Sequence, residues 1–499
     1  MTVSSHVLAI DQGTTNSKVL LMDGDGRVVA SGSCPVPTLY PKPGWVEQDA
    51  CALWNSVRTA IDACLAAVPG VRVAAIGISN QRESLLAWDR KTGAPLGPCI
   101  TWQCRRSTAI CDDLKARGLS SWLEERTGLT IDPLFSASKA RWLLDTIPDG
   151  QARAAQGEIC LGNVDAWLLW NLTGGAVHAT DLSNASRTQL LNLQSADWDS
   201  ELLAVFGVPR AALPQLRPTS GFFGETVAQG QLAGGIPVMA MAGDSHAALF
   251  GHGVFAPGAI KATYGTGSSL MTLTGAPRDG TGGVSRTIAW QIGGAPQLAM
   301  EGNIASTGAT LAWTARLLGL GQAQDAAHLG QTVPDAADVY IVPAFNGLGA
   351  PYWDDHARGL ISGLTQGATG AHLCRAAMES TVYQVADLFE AMQGAVGALD
   401  ELRADGGASR NDMLMQFQAD ILDKPVVRDR SADLSARGAA WLAGLAQGMW
   451  KDVSALAALP REIDRFEPRM SSVRRTALYR GWKNAVQQAR LRGATEDRV

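Results

Sequence analysis

The segment Val7-Leu8-Ala9-Ile10-Asp11-Gln12-Gly13-Thr14-Thr15-Asn16-Ser17-Lys18-Val19-Leu20-Leu21-Met22 reads as strand, tight polar turn and strand. Two apolar runs flank a turn in which Gly13 frees the backbone and successive hydroxyl and amide side chains point outward. Such a turn converges backbone N–H groups, hydroxyls and one ammonium on a shared point, which suits a polyphosphate. Asp11, delivered by the end of a buried strand, is then placed to hold the accompanying metal. Taken alone, the segment fits an ordinary hairpin equally well. The second half of the chain repeats the pattern: Ala259 to Tyr264, then Gly265-Thr266-Gly267-Ser268-Ser269, then Leu270 to Leu273. Two such hairpins, one per domain, are expected to grip the two ends of one triphosphate.

A chain of 499 residues, 46% of them hydrophobic, exceeds what a single core serves, so two domains are expected. Its net charge of −5, from 42 basic and 47 acidic residues, gives no global field for nucleic acid or an anionic membrane. A small uncharged or mildly charged ligand fits better. The eight cysteines show neither C-x-x-C nor zinc-type Cys/His spacing, which indicates reduced thiols in a cytoplasm. No apolar run approaches a membrane span, and Met1 to His6 lacks the basic head and apolar core of a secretory signal. The basic residues from Arg474 and Arg475 through Arg480, Lys483 and Arg490 to Arg492 read as a solvated C-terminal helix face.

Charged groups recur at strand ends, where open α/β sheets keep their ligand crevices. Gln81-Arg82-Glu83-Ser84 follows the buried run Val71 to Ser79, with Arg82 and Glu83 read as a charged pair, and the run from Ile236 finishes in Gly243-Asp244. Thr101 to Arg106 reads as opening a helix, with Trp102 read as core. Pro133 keeps Ile131 to Ser136 out of the helix that covers Lys139 to Thr146. The glycine-rich stretch Gly251 to Gly258, broken by Pro257, is the expected domain boundary. A helix is expected from Ala305 to Leu318, around Gly308, and a longer one from His372 to Met392. The turn Ala404 to Asn411 opens onto a helix with Leu414, Phe417 and Ile421 on one face. Its glycine pair lets a flat ring or phosphate approach the backbone, and Asn411 can hydrogen-bond it. Neither a G-x-x-x-x-G-K-[ST] loop nor an H-R-D and D-F-G set occurs.

Taken in order, Ile10 to Thr15, Trp45-Val46-Glu47, Asn80 to Glu83, Trp102 to Arg106, Asn184-Ala185-Ser186-Arg187-Thr188, Ala242-Gly243-Asp244, Tyr264 to Gly267, Gly347 to Trp353 and Met415 to Gln418 resemble the glycerol kinases of the FGGY carbohydrate kinase family, nearly end to end. The resemblance implies an α/β fold of two actin-like, ribonuclease-H-like domains with an interdomain ATP cleft. Residues 1–252 would form the polyol-binding side and residues 253–499 the nucleotide-binding side. It implies ATP and Mg2+ as cofactors, phosphorylation of a terminal hydroxyl of a small polyol or sugar, and a homo-oligomer, dimer or tetramer.

Residue by residue, Asp11 and Asp244 match the family's magnesium-associated carboxylates, and Asp244 also its catalytic base. Thr14, Thr15, Thr266, Gly308, Gly407 and Asn411 match nucleotide contacts, as do the positions of Asn16 and Lys18, where glycerol kinases usually have serine and arginine. Arg82, Glu83, Trp102 and Asp244 match the polyol pocket. Three pocket positions depart from the pattern: Leu134 replaces a tyrosine, Ser245 a glutamine and Ser269 a phenylalanine. Lost polar contacts and added room are expected to weaken the hold on glycerol and favour a four- or five-carbon polyol or ketose, with glycerol itself the alternative. An actin- or chaperone-like ATPase is the rival class, against which Arg82, Glu83 and Trp102 weigh.

Overall fold

The computed structural model describes residues 5–275 and 283–493; Met1 to Ser4, part of the stretch read against a secretory signal, lie outside them. The chain forms two compact units. The first comprises Met1–Phe255, Arg286–Ala299 and Asp433–Pro460, and the second Ala256–Ser285, Met300–Ala432 and Arg461–Val499. The first crossing falls within the expected Gly251 to Gly258 stretch, but two later segments return to the first unit. Nothing in their composition marks them, because what binds them there is contact with residues far away in sequence.

The main sheet of the first unit runs Ser220–Glu225, Pro237–Gly243, Val73–Asn80, His6–Gln12, Asn16–Met22 and Val28–Pro35. The opening hairpin pairs antiparallel, with Asp11 opposite Lys18. Its first strand and Pro237–Gly243 both run parallel to Val73–Asn80. Val7, Leu8, Ala9 and Ile10 are all fully buried, a continuous apolar run rather than an alternation, because helices cover both faces. Ile76 and Ile78 join the core of the helix Ala50–Ala66. Between them Gly77 faces the returning helix Leu434–Gln447, where a Cβ would lie 2.2 Å from the carbonyl of Ala439. The same helix meets Asp244–Gly251 through Gly438, whose Cβ would lie 1.8 Å from the Ala247 carbonyl. Glycine is required at both positions because backbone packs directly on backbone.

A smaller sheet in this unit orders Glu47–Gln48, Cys99–Ile100, Leu85–Asp89 and Ile159–Asn163. Residues 81–84 therefore bridge two sheets. The expected helix at Thr101 is corrected: the chain turns through Thr101 to Arg106, and the helix is Thr108–Ala116. The cause is local hydrogen bonding. Thr101 Oγ1 donates to Val46 O (3.1 Å) and Trp102 N donates to Ser84 Oγ (3.1 Å), which commits this backbone to neighbouring loops.

In the second unit the hairpin Ala259–Tyr264 and Ser268–Thr274 pairs antiparallel, and Ala259–Tyr264 runs parallel to Glu401–Asp405. Val426–Asp429 and Ile463–Phe466 extend that sheet. The long helix is Gly370–Val396, and the helix around Gly308 is Gly308–Leu317. The basic C-terminal helix is a paired face, because Arg474 meets Asp335 (3.1 Å), Arg475 Asp423 (2.8 Å), Lys483 Asp387 (2.6 Å) and Arg490 Asp354 (3.0 Å).

Candidate active site

In the first unit the strand His6–Gln12 and the strand Pro237–Gly243 flank Val73–Asn80, with Asp11 in register with Ser79 and Gly243 with Asn80. Asp11 and Asp244 thus leave the sheet at the same edge, the ligand edge of an open α/β sheet. Ser79 Oγ donates to Asp11 Oδ1 (2.8 Å). Burial nevertheless pushes the Asp11 carboxyl up to about 7; the charge of Asp244 adds to this, and the Lys18 ammonium acts against it. Among the described residues Asp11 has no cation bonded to it, and Asp244 keeps part of its side chain exposed beside Arg82, a donor set that fits a divalent cation. Among the described residues no group of three or more His, Cys, Asp or Glu could hold a metal.

Asp244 begins the helix Asp244–Gly251. Its Oδ1 accepts from Arg82 Nε (3.0 Å) and from Ser245 N (2.6 Å), while Arg82 Nη2 donates to Ser245 Oγ (3.2 Å). Arg82 is buried, whereas Asp244 keeps 40% of its side chain exposed. Glu83 has an entirely different partner: Arg187 Nε donates to its Oε1 (2.7 Å), and both side chains are buried. Arg82 and Glu83, the two charged residues expected at this strand end, therefore have separate partners, and Glu83 takes a φ of +59°. The carbonyl of Glu83 accepts from Ser136 Oγ and Lys139 Nζ, both at 3.2 Å.

Trp102 is half-buried, not core. Its Nε1 donates to Thr14 Oγ1 (3.0 Å), which joins the first turn to the segment after Cys99–Ile100. Behind this contact Gln81 Nε2 donates to Gln12 Oε1 (3.0 Å) and Gln48 Oε1 (2.9 Å), and Gln48 Nε2 donates to Thr14 O (2.5 Å). Neutral amides satisfy one another here without burying charge. Thr15 is exposed and Asn16 partly exposed, and Lys18 Nζ pairs with Asp433 (3.1 Å). Leu134 and Ser245 are both half-buried.

The second unit carries the other set. Gly265 N donates to Gly267 O (3.0 Å), as Gly13 N does to Asn16 O (3.0 Å) in the first turn. Thr266 is exposed at the tip. Gly308 N donates to Gly265 O (3.1 Å), seating the helix Gly308–Leu317 on this turn. At Gly407 an added Cβ would meet nothing within 4 Å, so its backbone lies open as a ring or phosphate would need. Asn411 caps the helix Asp412–Leu422 by accepting from Leu414 N (3.1 Å). The Ser269 hydroxyl donates to Glu301 Oε1 (3.2 Å).

Two residues escaped the sequence reading. Arg187 stands in a quoted motif but has no spacing that names Glu83 as its partner. Lys139 has a detectable signal, a lysine on the same helix face as Ala140 and Leu143. Among the described residues no helix is long and apolar enough to cross a membrane.

The model of the FGGY family of carbohydrate kinases matches the chain twice, its N-terminal domain over residues 6–251 and its C-terminal domain over residues 260–447. The chain belongs to this family. It is 46% identical over 489 residues to an apulose kinase of Pectobacterium atrosepticum, covering 97% of this chain and 98% of that one. It is 47% identical over 489 residues, with the same coverage, to a glycerol kinase of Thermus brockianus. The crystal structure of Plasmodium falciparum glycerol kinase with ADP superimposes with a TM-score of 0.93 at 29% identity, over 97% of this chain and 98% of that one. This FGGY kinase is an ATP-dependent phosphotransferase for a sugar or polyol, built on the α/β, actin-like fold.

Proposed function

We propose that this kinase transfers the γ-phosphoryl group of ATP to a terminal hydroxyl of a four- or five-carbon polyol or ketose. The first unit supplies the polyol side, and the second the nucleotide side. The observation that carries the reading is the cluster of Arg82, Asp244 and Ser245. One oxygen of Asp244 is held by Arg82 Nε and Ser245 N while the carboxylate stays exposed. That is how a base is aimed at a hydroxyl. Because phosphoryl transfer passes through a loose transition state, Asp244 positions the hydroxyl first and takes its proton late. Glu83, anchored by Arg187, accepts from further substrate hydroxyls, and Trp102, fixed to Thr14, forms a wall.

Asp11 and Asp244 hold the Mg2+ of the nucleotide, which when bound neutralises charge on the transferring phosphate. Thr14, Thr15, Asn16, Lys18, Thr266, Gly308, Gly407 and Asn411 contact ATP. The enzyme acts in the cytoplasm as a homodimer or homotetramer.

Leu134, Ser245 and Ser269, each short of the family's larger side chain, support the longer substrate. The apulose kinase relative at 46% identity points the same way, since apulose is a five-carbon ketose. Glycerol is the second reading, supported by glycerol kinases at 46–48% identity. An ADP-release assay over glycerol, erythritol, threitol, erythrulose, ribulose, xylulose and apulose tests the choice. The expected result is a kcat/KM for a four- or five-carbon compound at least about tenfold above that of glycerol, and glycerol ahead by about tenfold overturns it.

A further inference from the structure

Lys139 lies in the helix Ser136–Thr146, on a face where Ala137, Ala140, Leu143 and Leu144 are buried, and is itself fully buried. An ammonium there is costly unless protein oxygens replace its water. Among the described residues no carboxylate pairs with it. Its Nζ instead donates to three carbonyl oxygens, those of Glu83 (3.2 Å), Phe135 (3.2 Å) and Leu134. Ser136 Oγ is a second donor to Glu83 O and accepts from Asn163 Nδ2 (2.9 Å), which also donates to Ser84 O (3.0 Å). Glu83, with φ of +59°, occupies a backbone region that a non-glycine residue keeps only when its surroundings hold it. The donors on its carbonyl and Arg187 on its side chain are those surroundings.

We propose that Lys139 is a positioning residue for the acceptor substrate: its ammonium ties the Glu83 turn to the Leu134 loop and so sets the distance between an anchoring carboxylate and an apolar wall. The inference rests on the reading that Glu83 and Leu134 border the substrate. It also carries a pH signature. Burial lowers the Lys139 ammonium to about 8, against the opposing influence of Glu83, Cys104, Asp132 and Cys111. Cys99, which also feels the ammonium, is pushed up to about 12 by burial, and burial likewise raises Cys111. Burial thus moves both thiols upward, away from the ammonium. A neutral amine has two hydrogens for three carbonyls and turns a lone pair on one of them, so the tie loosens as pH rises through 8.

Steady-state kinetics with the best acceptor of the panel test this on the wild-type enzyme and on Lys139→Met, from about pH 6.5 to about pH 9.5. In the wild type the acceptor KM rises above pH 8 while the ATP KM stays level. Near pH 7, Lys139→Met raises the acceptor KM by about tenfold, the equivalent of one charge-assisted hydrogen bond. It alters kcat and ATP KM by less than about threefold and abolishes the rise with pH. A wild-type acceptor KM that is flat to the alkaline limit, or that rises together with the ATP KM, overturns the proposal without any variant. Glu83→Gln separates it from the reading beneath. If Glu83→Gln raises the acceptor KM and Lys139→Met does not, the tie alone is wrong; if Glu83→Gln leaves it unchanged, the assignment of the pocket falls and the tie with it.

Discussion

Asp165→Asn is expected to stabilise the first unit at neutral and alkaline pH while leaving turnover within about twofold. Asp165, in the helix Val164–Leu172, is fully buried. Its Oδ2 accepts from Thr180 Oγ1 (2.5 Å), and its Oδ1 has no hydrogen-bond partner. The neighbouring carboxylate, Asp181, accepts from Ser183 N (2.8 Å), Asn184 N (2.9 Å), Asn184 Nδ2 (2.9 Å) and Thr219 Oγ1 (2.8 Å). Burial raises both carboxyls, but four donors oppose it at Asp181, which assigns the proton of the pair to Asp165. Burial, with the Asp181 charge behind it, pushes that carboxyl from its ordinary 3.8 to about 7. Between those values the folded protein keeps a proton that the unfolded chain has released. Stability from this group therefore falls as pH rises through the window, and the penalty is complete above 7. At about 1.4 kcal/mol per pH unit the shift corresponds to a ceiling of roughly 4 kcal/mol, of which relaxation leaves about half. Urea unfolding, followed by the fluorescence of Trp167 and Trp170 in the same helix, measures it at about pH 5, 7 and 8.5. The advantage of the variant should be full at the top of that range and shrink toward the bottom. Parallel loss of stability in both proteins between pH 5 and 8.5 refutes the assignment of the proton.

Asp244→Asn keeps an acceptor for Arg82 Nε and Ser245 N but removes the base, so kcat should fall by about 10² to 10⁴ with little change in ATP KM. Near-normal turnover would exclude Asp244 from the chemistry. Trp102→Phe and Thr14→Val each break the 3.0 Å contact between the two side chains. Their costs to kcat/KM should overlap by about 1 kcal/mol in a double-mutant cycle, and strict additivity would show that the contact has no role. In the second unit Asp387 accepts from Tyr352 Oη (2.8 Å), Tyr479 Oη (2.7 Å), Trp482 Nε1 (2.8 Å) and Lys483 Nζ (2.6 Å). Asp387→Ala strands these donors and should cost that unit about 3 kcal/mol by urea unfolding, with a change under 1 kcal/mol contradicting the view that this carboxylate fastens the C-terminal helix.

What was legible in the sequence was what short-range physics determines. The opening hairpin declares itself because Gly13 separates two apolar runs, and the second because Gly265 and Gly267 do the same. Strand ends that bear Asp11 and Asp244 are readable because an apolar run that stops on a carboxylate has few other places to put it. The Thr101 to Arg106 turn was misread because it contains no proline or glycine to stop a helix; the bonds that deny it one reach Val46 and Ser84, outside any local window. Likewise, nothing near Leu434 announces that its helix packs on Gly77. The partners of buried charge were hidden for the same reason. Asn184 exchanges amide hydrogen bonds with Asn80 at 3.0 Å each way, and Ser183 Oγ accepts from Gly243 N (3.0 Å). Ser183 and Asn184 thus brace the two strand ends that carry Asp244 and Arg82, a role invisible until the chain is folded.

The three pocket departures, equivalent as letters, differ once their hydrogen bonds are known. The hydroxyl of Ser245 accepts from Arg82 (3.2 Å), so it retains a hydrogen to give. That of Ser269 gives its hydrogen to Glu301 (3.2 Å) and can offer a ligand only lone pairs. Under the proposed reading Ser245 is the polar newcomer suited to an acceptor. A ketone oxygen accepts and cannot donate, so it complements Ser245 without leaving a hydrogen unpaired, whereas a polyol hydroxyl in the same place needs a further acceptor for its own proton. A buried hydroxyl hydrogen with no acceptor costs on the order of 1–3 kcal/mol. Within the substrate panel this ranks each ketose above the polyol of equal length, erythrulose above erythritol and threitol, independently of how the enzyme treats glycerol.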